Sequence, residues 1–454
     1  MKTKVVNDFG LFVLPDMRKK TLLFLLFVAL HSVTLAQVRV TQIEEYIQTL
    51  RQRDLAFGSL AVYQDGQVMY QGVMGYERIN NDNKSATRIK THYRIGSVSK
   101  MFTAVMIFQL IEKKKLSLDQ PLSDFYPALP HATDISIAHL LNHQSGLHDY
   151  TKDTGFEVWM DTFKPQAELL EIIRARGSDF APGTKNEYCN TNYLLLGYIL
   201  EQVTGTSYEE NLRKRINSRL KLKDTYIPTT GPAEGNERES ISYKYTNGNW
   251  TVVKQTYPGT HAGAGAIVST PADLSAFVQA LFDGKLVRKG SLEKMQTIVN
   301  GYGSGLFPYD HGTSKGYGHN GRIEEFYTAV RYYPESKISV VYCTNGINFP
   351  RTDILESVIK SCFNESIEIP FASAHSAVFN DYTGTYEAPG MPAVSLSVQD
   401  SNLVAETQGA TFVLEPVMKN YFMHAITGYY FEFTPAENSL QIKETDNVYF
   451  LKKK

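Results

Sequence analysis

Cysteine is rare in this chain: three occur among 454 residues, at Cys189, Cys343 and Cys362. Three cysteines are too few for a disulfide framework, and an odd number leaves at least one thiol unpaired. An excess of charge of either sign is also lacking, because the formal net charge at pH 7 is −1. A chain without an overall positive field lacks the usual electrostatic attraction for nucleic acid or an acidic membrane surface. We therefore expect no nucleic-acid partner.

Nucleotide-binding signatures are missing as well. The sequence has no glycine-rich phosphate loop, no Walker pattern and no alternation of strand and helix typical of a parallel sheet. The G-x-S-x-G turn of α/β-hydrolases is also absent, since Gly303-Ser304-Gly305 has the wrong spacing. These absences disfavour a nucleotide-dependent function and an α/β-hydrolase fold.

An apolar run near the N-terminus is too short to cross a membrane. It extends from Thr21 to Leu30, follows the basic residues Arg18–Lys20 and leads to a small residue, Ala36. This order is typical of a secretory signal peptide. We predict that residues 1–36 form such a peptide, with 1–16 as an upstream extension, and that its cleavage leaves no transmembrane span. The mature protein would then be periplasmic or secreted in a bacterial source.

The remaining composition is that of a globular protein. Hydrophobic residues make up 43% of the chain and charged residues 20%, and the length suffices for two or three domains. The composition changes near Ile369-Pro370, after which short alternating segments separated by Gly and Asn turns replace the helical patterns. We predict one domain over residues 37–368 and a small, all-β, barrel-like domain over 369–454.

Within the first domain, the patterns are typical of an α+β fold. Residues 40–53 have helical spacing, and Asp65-Gly66 marks an antiparallel hairpin. The segment Tyr317–Cys343 predicts three strands, and Ile354–Cys362 predicts a closing helix with Asp353 as its N-cap. These elements predict an antiparallel sheet flanked by N- and C-terminal helices, with an all-helical subdomain between them.

Ser97 and Lys100 are the first candidates for chemistry. A serine and a lysine three residues apart share one face of a helix, and the apolar run that follows predicts a buried helix beginning near Ser97. The positive end of that helix favours an alkoxide, and a buried lysine that is partly neutral can accept a proton. Taken alone, the pattern is better explained by a serine that only caps a helix.

Tyr188-Cys189-Asn190 is the second candidate. In an extended segment, residues two apart point the same way, so the Tyr188 phenol and the Asn190 amide would face one cleft. A lysine ammonium nearby would favour the phenolate, which can take a proton from a serine and return it. Asn190 would orient the lysine and a substrate amide. A core tyrosine beside a turn asparagine is the simpler interpretation of this segment by itself.

Gly318-His319-Asn320-Gly321 is the third candidate, at the start of a predicted strand. Gly321 would allow a substrate backbone to approach closely, and His319 shares its face of the strand. His319 would bind a carboxylate or polarise a leaving group, although a single histidine is more often structural.

Together and in this order, the three segments resemble the serine β-lactamase and penicillin-binding protein superfamily. The family pattern is S-x-x-K, then Y-x-N, then [KH]-x-G, and the resemblance is strongest to class C β-lactamases, D-alanyl-D-alanine carboxypeptidases and family VIII esterases. Flanking segments match as well: Leu140–Leu147, Phe180–Thr184 and Gly263–Asp273. The resemblance covers roughly residues 40–365 and implies a β-lactamase/transpeptidase-like fold, while the tail from Tyr382 resembles a lipocalin-like domain.

The resemblance implies an exported serine hydrolase that forms an acyl-enzyme and acts on a peptide, a β-lactam or a small ester. The implied catalytic residues are Ser97, Lys100 and Tyr188. The implied substrate-binding residues are Asn190, His319, Gly321 and Arg322, with the backbone N–H groups of Ser97 and Arg322 as the oxyanion hole. No metal or cofactor is implied, and the oligomeric state is left open.

Three departures from the family pattern concern the site. Cys189 replaces the usual serine, but its side chain should point away from the cleft. His319 replaces the lysine of most β-lactamases, and Arg322 stands where a second glycine is frequent. A class A-type glutamate motif is not found.

Two other functions compete with hydrolysis. A penicillin-recognising sensor of the same fold would have the same residues and deacylate slowly. A zinc hydrolase is suggested by His139 and His143, four residues apart, but Leu140-Leu141-Asn142 lacks the glutamate that such an enzyme needs. The complete set of polar residues favours the serine hydrolase.

Overall fold

The computed structural model describes residues 40–80, 83–228, 238–372, 379–445 and 447–454. The predicted signal peptide therefore lies outside the described residues, as does part of the polar segment before Trp250. Among the residues that the structure describes, no helix is long and apolar enough to cross a membrane.

Eleven α-helices occur in the described ranges. They are α1 (40–52), α2 (Ser99–Glu112), α3 (Ile137–Leu141), α4 (Phe156–Trp159), α5 (Gln166–Arg176), α6 (Asn190–Thr204), α7 (Tyr208–Leu212), α8 (Ser218–Leu220), α9 (Pro271–Phe282), α10 (Lys289–Gln296) and α11 (Arg351–Cys362). A π-helical segment, Arg213–Asn217, joins α7 to α8.

Twenty strands occur in the same ranges. The first twelve are β1 (Ala56–Gln64), β2 (Gln67–Met74), β3 (Tyr76–Asn80), β4 (Asn83–Ala86), β5 (Tyr93–Arg94), β6 (Tyr243–Thr246), β7 (Asn249–Val252), β8 (Val268–Ser269), β9 (Phe307–Pro308), β10 (Tyr317–Ile323), β11 (Phe326–Tyr333) and β12 (Ile338–Ile347). The last eight are β13 (Gly384–Glu387), β14 (Val394–Gln399), β15 (Asn402–Thr407), β16 (Ala410–Met418), β17 (Tyr421–His424), β18 (Tyr429–Thr434), β19 (Ser439–Lys443) and β20 (Val448–Lys453).

The first domain is built on a six-stranded antiparallel sheet with the order β2-β1-β12-β11-β10-β9. Every residue of β12 is buried, because helices cover both faces of the sheet. Val340 and Tyr342 pack in a core with α1 and α11, whereas Val341 and Cys343 pack in the core of α2 and α9. This alternation follows from the two-residue period of a strand. The α+β fold with an antiparallel sheet between helices is confirmed.

Local signals account for several of these elements. Asp65 and Gly66 both have positive φ at the β1–β2 turn, as the hairpin prediction requires. Ser136 caps α3 in a capping box, and the Thr270 side chain accepts a hydrogen bond from the N–H of Asp273 at the start of α9. Gly205 ends α6 in the left-handed conformation, where a Cβ would be disfavoured.

The N-cap prediction for α11 is wrong. The helix begins at Arg351 after Pro350, so Asp353 lies inside its first turn. The Asp353 carboxylate instead accepts hydrogen bonds from the hydroxyl of Tyr421 and, at 2.9 Å, from Nζ of Lys443. The Asp353 carboxylate therefore bonds to side chains of the C-terminal domain instead of capping the helix.

The C-terminal strands β13 to β20 close into an antiparallel barrel, which confirms the all-β architecture predicted for this part of the chain. Barrel residues Tyr421 and Tyr430 join the core formed by α1 and α11, and the Tyr430 hydroxyl donates to the carbonyl of Asn348 at 3.0 Å. The barrel is therefore packed on the first domain. All three cysteines are buried and none forms a disulfide, so no bridge joins Cys343 and Cys362.

Candidate active site

Ser97 lies in a single 3₁₀ turn, Gly96–Val98, that leads directly into α2. The helix starts at Ser99, two residues later than predicted, and from Ser99 to Leu110 each of its residues is buried. A helix that is buried on all sides cannot shift without disturbing the core. Ser97 is consequently held at the positive end of a rigid helix, which stabilises negative charge on its oxygen.

Two glycines let the serine turn touch strand β10. Gly96 has a φ of +51°, and a Cβ on it would lie 2.8 Å from the carbonyl oxygen of Arg322. A Cβ on Gly321 would lie 2.0 Å from the carbonyl oxygen of Ile95. Gly321 is therefore needed for the approach of the serine turn, in addition to the substrate approach predicted from the sequence. The contact brings the backbone of Arg322 beside Ser97, which agrees with the predicted oxyanion hole.

Lys100 is fully buried and held by three acceptors. Its Nζ donates to Oγ of Ser97 at 3.0 Å, to Oδ1 of Asn190 at 2.8 Å and to the carbonyl oxygen of Ala264 at 2.8 Å. Burial lowers the pKa of Lys100 to about 7, although the carboxylate of Asp149 opposes this shift. A substantial neutral fraction at pH 7 makes Lys100 a base within reach of the Ser97 proton.

Asn190 is the first residue of α6 and is fixed by a second layer of groups. Its Nδ2 donates to Asp149 at 3.2 Å and to Oγ1 of Thr151 at 2.9 Å, while its Oδ1 accepts from Lys100. The predicted role in orienting the lysine therefore agrees with the geometry. Both amide N–H groups are already used within the protein, so a direct contact with a substrate amide is not supported.

Tyr188 lies on the other side of the serine. Its hydroxyl forms a hydrogen bond with Ser97, and Nζ of Lys100 lies 4.9 Å from the centre of its ring. Burial raises the pKa of Tyr188 despite the hydrogen bond with Ser97, so the neutral phenol is the stable form. The predicted phenolate does not agree with this direction. Tyr188 is better placed as a proton donor, or as a relay, than as the first base.

His143 packs against Tyr188, a role that was not predicted from the sequence. Its ring centre lies 4.6 Å from that of Tyr188 and 5.2 Å from that of Tyr193, and its Nδ1 accepts the N–H of Cys189 at 3.1 Å. Burial and the charge of Lys100 hold the pKa of His143 well below its usual value. The neutral ring thus anchors the Tyr188–Asn190 segment. Cys189 itself points away from the cleft, toward the carbonyl of Leu147.

His319 is buried on β10 and is neutral at physiological pH. Burial, aided by the charge of Lys100, lowers the pKa of His319 to about 3. Its Nδ1 is hydrogen-bonded to the carbonyl of Asn320, and its Nε2 has no partner in the described part of the chain. A protonated His319 that holds a substrate carboxylate is therefore not supported. A neutral Nε2 remains available to accept a hydrogen bond from substrate.

A cleft of about 710 Å³ opens in front of Ser97. Arg322, whose side chain is exposed, lines it with Lys244 and with the acidic residues Glu157, Glu324 and Glu325. The guanidinium of Arg322 pairs with the Glu325 carboxylate at 3.9 Å. The volume suits a ligand of small-molecule size, and the mixed charge suits a substrate with both polar and ionised groups.

The structure does not support a zinc site at His139 and His143. His139 caps α3 through its Nδ1, whereas His143 turns toward Tyr188. The two imidazoles therefore serve separate local roles, and no cluster of three or more metal-ligating side chains occurs in the ranges that the structure describes.

A serine activated by a buried lysine, on a helix that packs against an antiparallel sheet, defines the class of serine hydrolases with a β-lactamase/transpeptidase-like fold. The comparison with protein families gives the particular family. The β-lactamase family model matches residues 43–357, and the chain belongs to this family.

Relatives differ in the reactions for which they are named. The chain is 26% identical over 270 residues to a teichoic acid D-alanine hydrolase of Staphylococcus aureus, a match that spans 60% of this chain and 64% of the relative. A D-amino acid amidase from Ochrobactrum anthropi has a similar structure, with a TM-score of 0.62 and 26% identity over 71% of this chain and 98% of that one. An octameric penicillin-binding protein homologue from Pyrococcus abyssi has a TM-score of 0.67 and 25% identity over 91% and 100%.

The structure brings together the seven residues predicted for the site, and it adds others. Asp149, Thr151 and the carbonyl of Ala264 lie around Lys100 and Asn190 without belonging to the three motifs. Two of these had a signal in the sequence. Ala264 lies within the Gly263–Asp273 segment, and Asp149 closely follows the Leu140–Leu147 segment, both of which match the family pattern.

Proposed function

We propose that this protein is an acyl-transfer hydrolase that forms an acyl-enzyme on Ser97 and cleaves D-aminoacyl esters or amides. One observation carries the proposal: the Nζ of a fully buried lysine lies 3.0 Å from the Ser97 hydroxyl. Burying a lysine lowers the stability of the fold, because its charge is removed from water. A role in catalysis accounts for a lysine at such a position.

In the acylation step, neutral Lys100 takes the proton of Ser97 as Oγ attacks the substrate carbonyl carbon. The new oxyanion receives the backbone N–H groups of Ser97 and Arg322. The C–O or C–N bond to the leaving group then breaks, and the proton passes from Lys100 to the leaving group through the Tyr188 hydroxyl. Lys100 is neutral again at the end of this step.

In the deacylation step, water attacks the ester carbonyl of the acyl-enzyme. Tyr188 and Lys100 accept the water proton and return it to Oγ of Ser97, which releases the acid product and restores the resting site. The Asn190 amide keeps Lys100 in place throughout, because its carbonyl oxygen is bonded to Nζ and its N–H groups are bonded elsewhere.

The choice of substrate rests on the relatives and on the charge of the cleft. The names of the Staphylococcus aureus and Ochrobactrum anthropi relatives both refer to D-amino acid derivatives. A D-aminoacyl group carries a free ammonium, and Glu157 offers an exposed carboxylate along the cleft. The Glu324 carboxylate is already bonded to the N–H of Thr256, and Glu325 is paired with Arg322. β-Lactams and D-alanyl peptides remain within the same chemistry. We also propose export to the periplasm or the outside, on the basis of residues 1–36 alone.

The test uses D-alanine and L-alanine p-nitroanilides and a D-alanyl ester with the mature protein. We expect turnover of the D-enantiomer, loss of turnover in Ser97→Ala, and an acyl adduct by intact mass on the wild type alone. Turnover that persists in Ser97→Ala would refute the nucleophile. A penicillin adduct that forms on Ser97 but never hydrolyses, without turnover of any ester or amide, would instead favour a penicillin-recognising sensor.

A further inference from the structure

A second cavity, of about 580 Å³, lies at the far end of helix α2 from Ser97. Since α2 has 14 residues, this end lies about 20 Å from the serine. Seven of the fifteen lining residues are lysine or arginine, and one is acidic. The chain as a whole has a net charge of −1, so this concentration of positive charge is local.

Helix ends explain part of this charge. The cavity lies where α2, α6 and α9 terminate, and cations near a helix C-terminus stabilise its free carbonyl groups. Lys113 and Lys115 follow α2, and Lys285 follows α9, so their charges lie at helix C-termini. Arg219 lies in the last turn of α8, so the same explanation covers it. Arg215 lies in the π-helical segment, which continues into α8, and is not explained in this way.

Arg215 is held in place but left without a counter-ion. Its Nε donates to Oδ1 of Asn211 at 2.7 Å, and the amide of Asn211 is itself fixed by Thr204 and Thr206. One terminal nitrogen of Arg215 is buried without a hydrogen-bond partner within the described ranges. Partial burial lowers the pKa of Arg215, and an N–H group in this state requires an acceptor that the protein does not supply.

The remaining cations divide into two groups. Lys214 pairs with Glu210, Lys285 with Asp283, and Arg288 with Glu112, at 2.7, 3.0 and 3.9 Å. Arg219 donates to the carbonyl of Lys285 at 2.9 Å, which fixes its side chain without neutralising it. Lys113, Lys115, Arg215 and Arg219 have no ion pair among the residues whose structure is described.

We propose that this cavity is a binding site for an anion that carries two or more phosphate groups. The forked N–H groups of arginine match the oxygen geometry of a phosphate, and two positioned guanidinium groups with two lysines suit more than one such group. The volume lies within the range of small-molecule sites. A free diphosphate and successive phosphates of a polyphosphate chain share this chemistry.

Calorimetric titration of the full mature chain with pyrophosphate tests the proposal directly. We expect saturable binding at low salt that weakens as salt is added, because the attraction is electrostatic. Arg215→Ala with Arg219→Ala should weaken binding roughly a hundredfold, about tenfold for each lost charge-assisted hydrogen bond. Tighter binding of long-chain polyphosphate than of pyrophosphate would identify a polymer as the ligand, and equal binding would identify a short phosphate.

Two controls separate this site from general charge effects. Lys419→Ala with Lys452→Ala removes the same charge from exposed positions on the barrel and should leave binding unchanged. Arg215→Lys with Arg219→Lys keeps the charge and provides a second test in case the alanine variant does not fold. Binding to this variant should be about tenfold weaker, because the forked geometry of arginine is lost.

Three results would overturn the proposal: no saturable binding of pyrophosphate at low salt, equal binding by the folded alanine and wild-type proteins, or stronger binding of citrate than of pyrophosphate. Ester hydrolysis by the arginine variants should match that of the wild type, because the cavity is remote from Ser97. The outcome is thus independent of the function proposed above.

Discussion

The pH dependence of acylation is the most direct test of Lys100 as the base. An ordinary lysine has a pKa near 10.5, so roughly one in three thousand is neutral at pH 7. Burial lowers the pKa of Lys100 to about 7, where about half of the molecules are neutral. The fold thereby raises the concentration of the active form by about three orders of magnitude. The kcat/KM for acylation should rise with pH through about 7 and then remain level.

Asp149 allows the cause of this pKa to be tested separately. Its carboxylate favours the charged form of Lys100 and so raises the pKa of Lys100 against the larger effect of burial. Asp149→Asn removes that charge and should move the acid limb of kcat/KM to lower pH. The maximal rate should also fall, because the same carboxylate fixes Asn190.

The assay is the initial rate of hydrolysis of a chromogenic ester, measured from pH 5 to 9 with wild type, Asp149→Asn and Lys100→Met. Lys100→Met keeps a side chain of similar length, and acylation should fall by about 10² to 10⁴ because the base is lost. Intact-mass measurement of the acyl adduct separates acylation from later steps. A limb that stays in place or moves to higher pH in Asp149→Asn, or normal acylation by Lys100→Met, would refute this assignment.

Three other predictions concern the site and the domain contact. Gly96→Ala should lower kcat/KM by about 10², because its Cβ would displace the Arg322 backbone from the serine turn; a folded variant with normal kinetics would contradict the close contact. His319→Gln and wild type should show the same pH dependence of product binding between pH 5 and 8, since a histidine with a pKa of about 3 does not titrate there. If His319→Gln abolished a pH dependence seen in the wild type, a protonated His319 would bind the product carboxylate after all. Asp353→Ala should lower the free energy of unfolding in urea by about 2–4 kcal/mol, because the Tyr421 hydroxyl and one contact of Lys443 lose their acceptor. An unchanged unfolding midpoint would show that the barrel contact does not depend on this carboxylate.

Motifs located the candidate catalytic groups because spacing along one helix or strand fixes relative direction. Ser97 and Lys100 are three residues apart, and helical geometry alone brings Nζ toward Oγ. The barrel could also be predicted from the sequence, since strand alternation and Gly turns persist over its whole length. Both patterns are local, so they can be recognised without knowledge of the tertiary structure.

The protonation states of Tyr188 and His319 could not be predicted from local sequence. The neutral forms of Tyr188 and His319 depend on burial by residues far apart in sequence, such as Phe307, whose ring centre lies 4.7 Å from that of His319. The N-cap prediction for Asp353 failed for a related reason, because its partners Tyr421 and Lys443 come from another domain. Pairings across long sequence distances decide such cases.

The position of β12 also has a consequence for the order of folding. Ala56 in β1 pairs with Ile347 in β12, so the centre of the sheet joins segments nearly 300 residues apart. Contacts of such high sequence separation form slowly, because a long loop must close first. The serine turn and α2 are synthesised early, but the strand that completes their surroundings, β10, arrives only with residues 317–323. A nascent chain therefore carries Ser97 and Lys100 through about half of its synthesis before the strand beside them exists, and the candidate site cannot be complete until then.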